Sequence, residues 1–417
     1  MRKYQQLLLV LVSFFSVFSL LLYRYEYMQL LNVLEVLNFF GYTADNMTNC
    51  VLLEDKFYVD LENDNLLAKA PVSWIKRDQY YAYSAFWSAQ QQSVHLLVLG
   101  PRSAFSGYEC RVWFKMADQF VSKTAKLSYN IKTNNRDPNF HQYEIHCKPD
   151  KVPVDTEPYG VLLGREDSLK LFIPITIQKE FPVKEDLIVC IAPDYSGIPD
   201  TYLVEFIAYH TLLGVRHFVA YDIGIHYKVI EFLHSLAGHR DLYKTFSTLS
   251  WQFPSTDLQL EKSIIQKDCV QRTQGLAKHS ILLSWDQYLI LNKNENLNSF
   301  KNDIEYTFEV KKCCNNRQLK RSWPMAMKKT ICERTNETVN TIANDQTMNY
   351  QSPTKMGSIH RLEELCEKIY GKDDKSMAKY LINFVNSKLL SLWKSQLKLS
   401  ITHATNNNVI NLHKNYS

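Results

Sequence analysis

The chain has 417 residues, of which 46% are hydrophobic and 22% are charged, and these values indicate globular domains rather than a disordered or fibrous protein. The formal net charge is only +5, and the basic residues are spread along the chain. Because a nucleic-acid-binding surface needs clustered basic residues, we expect no nucleic acid among the partners.

An uncharged apolar segment, 7–23, lies near the N-terminus. As a helix that rises about 1.5 Å per residue it would span roughly 25 Å, which suits a thin internal membrane. A cleaved signal peptide is the alternative, but 24–27 offers no small-residue cleavage site. Arg2 and Lys3 precede the segment, so the positive-inside rule places the N-terminus in the cytosol. We therefore predict a single-pass type II membrane protein whose remaining chain is lumenal.

Cysteine usage and glycosylation patterns agree with a lumenal location. Nine cysteines in an oxidising compartment would mostly pair and leave at least one over. Cys110 and Cys147 each lie at one end of a strand-like run, and we predict that they form a disulfide. Asn46 and Asn336 each begin an Asn-x-Thr tripeptide, which is the acceptor pattern for N-linked glycans.

The segments that follow the anchor change character twice. Strand-like runs at 95–99, 110–114 and 143–147 are separated by turn residues and predict a small antiparallel β domain. From 186 onward, strand-like and helix-like segments alternate, which predicts βαβ units and a mainly parallel sheet. No Gly-x-Gly-x-x-Gly or phosphate-cradling loop is present, and this argues against a dinucleotide fold or a P-loop enzyme.

The predicted strands of the alternating region are 187–192, 216–221, 245–251 and 281–285, and its helices begin at 200, 227 and 257. After 292 the pattern weakens: 333–358 is polar and is expected to be a flexible loop, and 358–393 is expected to be helical. The predicted domains are a cytosolic tail at 1–6, a transmembrane signal anchor at 7–23, a stem at 24–75, a β-rich domain at 76–180 and an α/β domain at 181–417.

Acidic residues end two of these predicted strands, which we expect to be neighbours that end at the same edge of the sheet. Asp286 follows the apolar run 281–285, and Asp222 follows 216–221. Ligands of open α/β sheets bind beyond the carboxyl ends of the strands, and a carboxylate that closes a buried strand costs free energy unless it is paired. Asp286 is therefore either a capped strand end or a ligand for a metal ion that carries a diphosphate.

Four sequence motifs of this half carry a family resemblance. They are Tyr-Leu-Val-Glu-Phe-Ile-Ala-Tyr-His at 202–210, Val-Arg-His-Phe at 215–218, Gln-Lys-Asp-Cys-Val-Gln-Arg at 266–272 and Trp-Asp-Gln-Tyr-Leu at 285–289. The chain resembles glycosyltransferase family 92, which includes invertebrate galactosyltransferases acting on core fucose and plant galactan synthases. The resemblance implies a GT-A fold, in agreement with the α/β alternation.

The resemblance also implies a function. It predicts a Golgi type II glycosyltransferase that transfers a hexose, galactose in the resembling enzymes, from a UDP-sugar to a glycan acceptor with inversion. Residues assigned to the nucleotide sugar are Glu205, Asp222, Asp268 and Arg272. Glu205 opens a helix, where a partner for the helix dipole or a salt bridge is an equally open interpretation. No residue is assigned as the catalytic base.

The predicted metal site departs from the family pattern. Asp-x-Asp followed by Glu becomes Ser284-Trp285-Asp286-Gln287 here. Divalent ions such as Mn²⁺ prefer anionic oxygen ligands, so the loss of two carboxylates should weaken metal binding. We expect Asp286 to be the direct ligand, Ser284 to act through water, and His413 to contribute.

Two other functions stay open. A catalytically weak relative that binds glycans or a partner enzyme would tolerate the loss of the carboxylates. A secreted β-rich adhesion protein is the third hypothesis, and the alternating strands and helices argue against it.

Overall fold

The computed structural model describes 73–396, apart from 78, 103–104, 106, 117–118, 134–135, 138, 155, 166–169, 178–183, 240, 293–294, 302–303, 316–328, 344–353, 364–371 and 375. All described residues belong to one compact unit, which begins at Asn63. The predicted tail and anchor, nearly all of the predicted stem, and the residues Asn46 and His413 lie outside the described part of the chain. Within the described part, no helix is both long and apolar enough to span a membrane.

An eight-stranded sheet occupies the first half of the described chain. Its strands are β1 Ile75–Arg77, β2 Tyr80–Ser88, β3 Ser93–Gly100, β4 Tyr108–Met116, β5 Gln119–Lys132, β6 His141–Pro149, β7 Glu157–Arg165 and β8 Leu171–Ile177. The order is β1-β2-β3-β6-β5-β4-β7-β8, and a further pairing of β2 with β8 closes seven strands on themselves. Cys110, Val112 and Phe114 alternate along β4 and are buried in the interior of this closed sheet.

A second sheet is parallel and carries helices on both faces. Its elements are β9 Glu185–Ile191, α1 Asp200–Leu213, β10 His217–Asp222, α2 Tyr227–Leu236, β11 Thr245–Ser250, α3 Leu258–Thr273, β12 Ala277–Leu283 and the edge strand β16 Ile342–Ala343. The strand order is β11-β10-β9-β12-β16, with only β16 antiparallel. The chain leaves α1 through Gly214, whose φ of 104° lies in the left-handed region that favours glycine.

A third sheet and short helices complete the described chain. Its strands are β13 Gln287–Leu291, β14 Tyr306–Asn315, β15 Lys329–Asn340, β17 Thr354–Leu362 and β18 Lys372–Asp373, in the order β13-β17-β14-β15-β18. Single 3₁₀ turns span Leu297–Ser299 and Ser376–Tyr380, and the helices are α4 Leu381–Val385 and α5, 388–396.

Alternate residues of the parallel sheet face two different cores. Val189 and Ile191 of β9 pack with α1, α2 and the third sheet. Cys190, between them, packs in another core with Ile264 of α3 and with Tyr83 of the closed sheet. Helix α3 therefore lies on the opposite face of the parallel sheet from α1, and its core includes a residue of the closed sheet.

The predicted fold class, a GT-A-like α/β protein organised on one mainly parallel sheet, is wrong. The described residues form a mainly β structure of eighteen strands in three sheets, and the parallel strands belong to one of the smaller sheets. The closed sheet, expected to be a small domain, is the largest of the three. The polar segment 333–358, expected to be a loop, contains most of β15 and the first part of β17, and 358–362, expected to be helical, is the end of β17. Many β15 side chains are exposed, so this strand lacks the apolar run that predicts a buried strand.

Candidate functional site

Two parallel strands end side by side at one edge of the second sheet. Leu283, the last residue of β12, pairs with Ile191, the last residue of β9, and the Ala192 amide donates to the Leu283 carbonyl at 2.8 Å. Asp194 follows β9, and Asp286 follows β12. The carboxyl ends of these strands therefore present two carboxylates at one edge of the sheet.

Asp286 occupies a tight turn that joins β12 to β13. The Gln287 amide donates to the Ser284 carbonyl at 2.9 Å, and the Gln287 side-chain oxygen accepts the Ser284 amide at 3.0 Å. The Asp286 carbonyl accepts the Leu362 amide from β17 at 2.8 Å. The turn is thus held by both sheets, and the chain passes at this point from the parallel sheet into the third sheet.

A pocket of about 340 Å³ opens beside this turn. This volume lies within the range of small-molecule sites. The segment before α1, the first turn of α1, the Asp286 turn and the third sheet all contribute side chains. The lining residues are Ser196, Gly197, Ile198, Pro199, Tyr202, Trp285, Asp286, Tyr288, Lys329 and Leu362.

Charges of both signs surround the Asp286 carboxylate. Burial raises the pKa of Asp286, and the Arg361 guanidinium works against that shift. The negative charge of Asp194 raises the pKa of Asp286 further, whereas the Lys329 ammonium lowers it. Opposing effects of this kind are typical of functional carboxylates, although structural ion pairs also produce them.

Glu205 lies on the same side of the structure as the pocket. It is 6% exposed on α1. Burial raises the pKa of the neighbouring Tyr288 well above its usual value, and the charges of Glu205 and then Asp286 raise it further. The structure therefore brings both carboxylates around the Tyr288 hydroxyl.

Residues 185–414 match the model of glycosyltransferase family 92. The chain belongs to glycosyltransferase family 92. Among curated proteins, none matches the chain. The matched segment contains the parallel sheet, the Asp286 turn and all the lining residues of the pocket. The resemblance carried by the motifs between 202 and 289 is thus confirmed.

Asp222, which the resemblance assigns to the nucleotide sugar, does not lie on a strand next to β12. Strand β9 separates β10 from β12, so the expectation that Asp222 and Asp286 end neighbouring strands is wrong. One Asp222 carboxylate oxygen accepts the backbone amides of Gly224 at 2.8 Å and Ile225 at 2.7 Å. This carboxylate orders the loop after β10, and a role in nucleotide binding stays a prediction.

Asp268 and Arg272 of this family 92 member bind each other. Arg272 donates to both Asp268 carboxylate oxygens at 2.9 Å. Ser84 of the closed sheet donates to Asp268 at 2.6 Å, and the Tyr221 hydroxyl donates at 2.7 Å. These contacts lie on the α3 face of the parallel sheet, opposite α1. Nucleotide binding by either residue stays a prediction.

Two further assignments concern a disulfide and a glycosylation site. Cys110 is bonded to Cys147, as predicted. Further disulfides join Cys190 to Cys269 and Cys313 to Cys332, and Cys314 is disulfide-bonded as well. Asn336 is exposed on β15, and its glycosylation stays a prediction.

The described residues around Asp286 do not fit a Mn²⁺ ion. The two oxygens of Asp194 accept the Ser196 amide at 2.9 Å and the Ile198 amide at 2.6 Å. The Gln287 oxygen accepts the Ser284 amide, and the positive charges of Lys329 and Arg361 act on Asp286. Within the described chain, the one cluster of three potential His, Cys, Asp or Glu ligands includes the disulfide-bonded Cys313 and Cys332. A hard divalent ion needs several anionic oxygens that are free to coordinate it.

Four residues of the site were not singled out as functional from the sequence. Asp194 follows a predicted strand as Asp286 does, so the strand-end rule could have identified it. Trp285 lies within the motif 284–287, in which only the carboxylate positions suggested a function. Lys329 and Arg361 belong to strands of the third sheet, where the sequence shows no alternation of apolar residues that would place them.

Proposed function

We propose that this family 92 member transfers a hexose, with galactose as the expected sugar, from a UDP-sugar to a glycan acceptor with inversion. One observation carries the proposal: a half-buried carboxylate, Asp286, lines the same pocket as a buried cation, Lys329, at the carboxyl end of a parallel sheet. Glycosyl transfer to a hydroxyl requires a proton acceptor and a positive group for the leaving diphosphate.

Asp286 is the proposed base. Asp194 already accepts three hydrogen bonds, from the Ser196 amide and hydroxyl and from the Ile198 amide. Glu205 is more deeply buried than Asp286, and it does not line the pocket. Asp286 is therefore the carboxylate most open to an acceptor hydroxyl, and its raised pKa suits a general base.

The reaction then follows from these positions. The acceptor hydroxyl oxygen attacks the anomeric carbon of the donor while its proton passes to Asp286. The bond from the anomeric carbon to the diphosphate oxygen breaks on the opposite side, and UDP leaves with the electron pair. Attack opposite the leaving group inverts the anomeric centre.

The disulfides support a compartment for this reaction. Cys110, Cys147, Cys190 and Cys269 are bonded in pairs, and such bonds persist in oxidising compartments. We propose the lumen of the secretory pathway, with the Golgi as the expected organelle, where glycan acceptors are present.

Turnover of UDP-hexoses by the purified full-length protein, measured as UDP release with a panel of glycans, tests the proposal. Asp286→Asn should lower the turnover at least about a hundredfold, since general base catalysis contributes this much, while the Kd of UDP changes little. The matched control is Asp241→Asn, because Asp241 is 78% exposed and pairs with Lys388 at 3.5 Å. Full activity of Asp286→Asn would contradict the assignment of the base.

A second candidate function is favoured by Ser284 and Gln287, which replace two carboxylates of the family pattern. The chain would then bind glycans or a partner enzyme without transferring sugar. Binding of UDP or a glycan with no UDP release from any UDP-hexose would favour this function over transfer.

A further inference from the structure

The indole N–H of Trp285 is a buried donor without a hydrogen-bond acceptor in the described part of the chain. Trp285 is 1% exposed, and it lines the pocket beside Asp286. Its ring packs edge-on against Phe206, with the centroids 5.3 Å apart, which restrains its position. A buried N–H without an acceptor costs free energy, and an acceptor atom on a bound ligand would remove that cost.

Lys329 contributes a positive charge to the same pocket. It is 4% exposed at the start of β15, and it lines the pocket together with Trp285 and Asp286. Arg361, the other cation that acts on Asp286, does not line the pocket. Lys329 is therefore the cation that the pocket itself presents to a bound anion.

The composition of the Asp286 turn supports the same conclusion. Asp286 is the one carboxylate of the turn 284–287, because Ser284, Trp285 and Gln287 are uncharged. The carboxylates that remain nearby are hydrogen-bonded or lie beside cations. This electrostatic balance disfavours a divalent cation, and it favours direct contact between protein cations and an anionic ligand.

We propose that the donor diphosphate is bound without a divalent metal ion, by the Lys329 ammonium and the Trp285 indole N–H. The inference rests on the proposed function, because it assigns the diphosphate of a nucleotide sugar to this pocket. Lys329 then stabilises the charge that develops on the leaving diphosphate, and Trp285 donates one hydrogen bond to a phosphate oxygen.

Calorimetric titration of the full-length protein with UDP, first in EDTA and then with Mn²⁺, tests this assignment. We expect UDP to bind in EDTA with a Kd that Mn²⁺ changes less than about threefold. Lys329→Gln should weaken UDP binding about tenfold to a hundredfold, since it removes a charged hydrogen bond, and Lys329→Arg should restore most of the affinity. Trp285→Phe keeps an aromatic ring without the N–H and should weaken UDP binding by up to about tenfold.

Uridine, which lacks the phosphates, separates phosphate contact from collapse of the pocket. Lys329→Gln should leave the Kd of uridine unchanged, and equal weakening of uridine and UDP would overturn the inference. The matched control is Lys355→Gln, because Lys355 is 58% exposed on β17 and pairs with Glu309 at 2.5 Å. UDP binding that requires Mn²⁺ would overturn the metal-free assignment and leave the proposed function standing, whereas absence of UDP binding in both conditions would overturn the proposed function.

Discussion

His210 is a fully buried histidine of α1 that packs beneath the pocket residue Tyr288. Its Nδ1 lies 2.9 Å from the Phe206 carbonyl, and its Nε2 accepts the Leu289 amide at 3.3 Å. The His210 ring stacks on the Tyr288 ring, with the two ring centroids 5.8 Å apart. Acceptance at Nε2 requires the neutral ring, with the proton on Nδ1. His210 thereby links α1 to the strand that follows the Asp286 turn.

Acid should destabilise the protein through His210. Burial lowers the pKa of His210 to about 4, against 6.5 for an exposed histidine. Above pH 6.5 the ring is neutral in both folded and unfolded chains, so its titration contributes nothing to the pH dependence. As the pH falls from 6.5 to about 4, the unfolded chain takes up the proton first, and the free energy of unfolding falls by up to roughly 3 kcal/mol.

Urea denaturation of wild type and His210→Gln at pH 7, 5.5 and 4 measures this contribution. The variant should be less stable than wild type at pH 7, but it should lose less further stability on acidification. Other histidines titrate in both proteins, so the difference between the two pH profiles isolates His210. Parallel profiles would show that His210 is protonated equally in the folded and unfolded chains.

At the scale of elements, α3 is fixed to its neighbours by a buried ion pair. Asp268 accepts bonds from Arg272, from Ser84 of β2 and from Tyr221 of β10. The Arg272 guanidinium also lies 5.2 Å from the centre of the Phe86 ring. These contacts connect α3 with the closed sheet on one side and the parallel sheet on the other.

Arg272→Met should destabilise the fold by about 3–5 kcal/mol, because it leaves the buried Asp268 carboxylate without its cation. The double variant Asp268→Asn with Arg272→Met should regain part of this loss, since no uncompensated charge stays buried. Urea denaturation gives both values, and UDP titration of the folded variants separates the two roles of Arg272. Weaker UDP binding without loss of stability would instead favour the nucleotide-binding role that the resemblance assigns.

Some elements could be predicted from the sequence because residues at their ends or within them mark their positions. Asp257 precedes α3 and accepts the amides of Gln259 and Leu260, as expected of an N-cap residue. The apolar run 281–285 similarly locates the end of β12 and therefore Asp286. Strand β15 gives no such signal, because half of its residues are exposed and its partners β14 and β18 are set by tertiary pairing. Lys329, the cation that lines the pocket, lies on that strand, so its place in the site could not be predicted from the sequence.

At the scale of the whole molecule, the closed sheet and the parallel sheet share a core through α3. Tyr83 and Leu99 of the closed sheet pack with Trp251 and with Ile264 of α3. The sequence predicted two regions of different character but not this shared core, since contacts between distant segments leave no periodic pattern within either segment. The same reasoning explains why the closure of β2 on β8 was not foreseen.

The Cys190–Cys269 disulfide crosses this core from β9 to α3. The two residues are 79 apart in the sequence, and both are buried. A cross-link of this span restricts the unfolded chain, and its removal should lower the free energy of unfolding by about 4 kcal/mol. The double variant Cys190→Ala with Cys269→Ala tests this value by urea denaturation without reductant.

The matched comparison is Cys313→Ala with Cys332→Ala, whose shorter separation of 19 predicts a loss smaller by about 1 kcal/mol. Unchanged stability of the first double variant, or recovery of Cys190 and Cys269 as free thiols by unreduced peptide mapping of wild type, would contradict the cross-link.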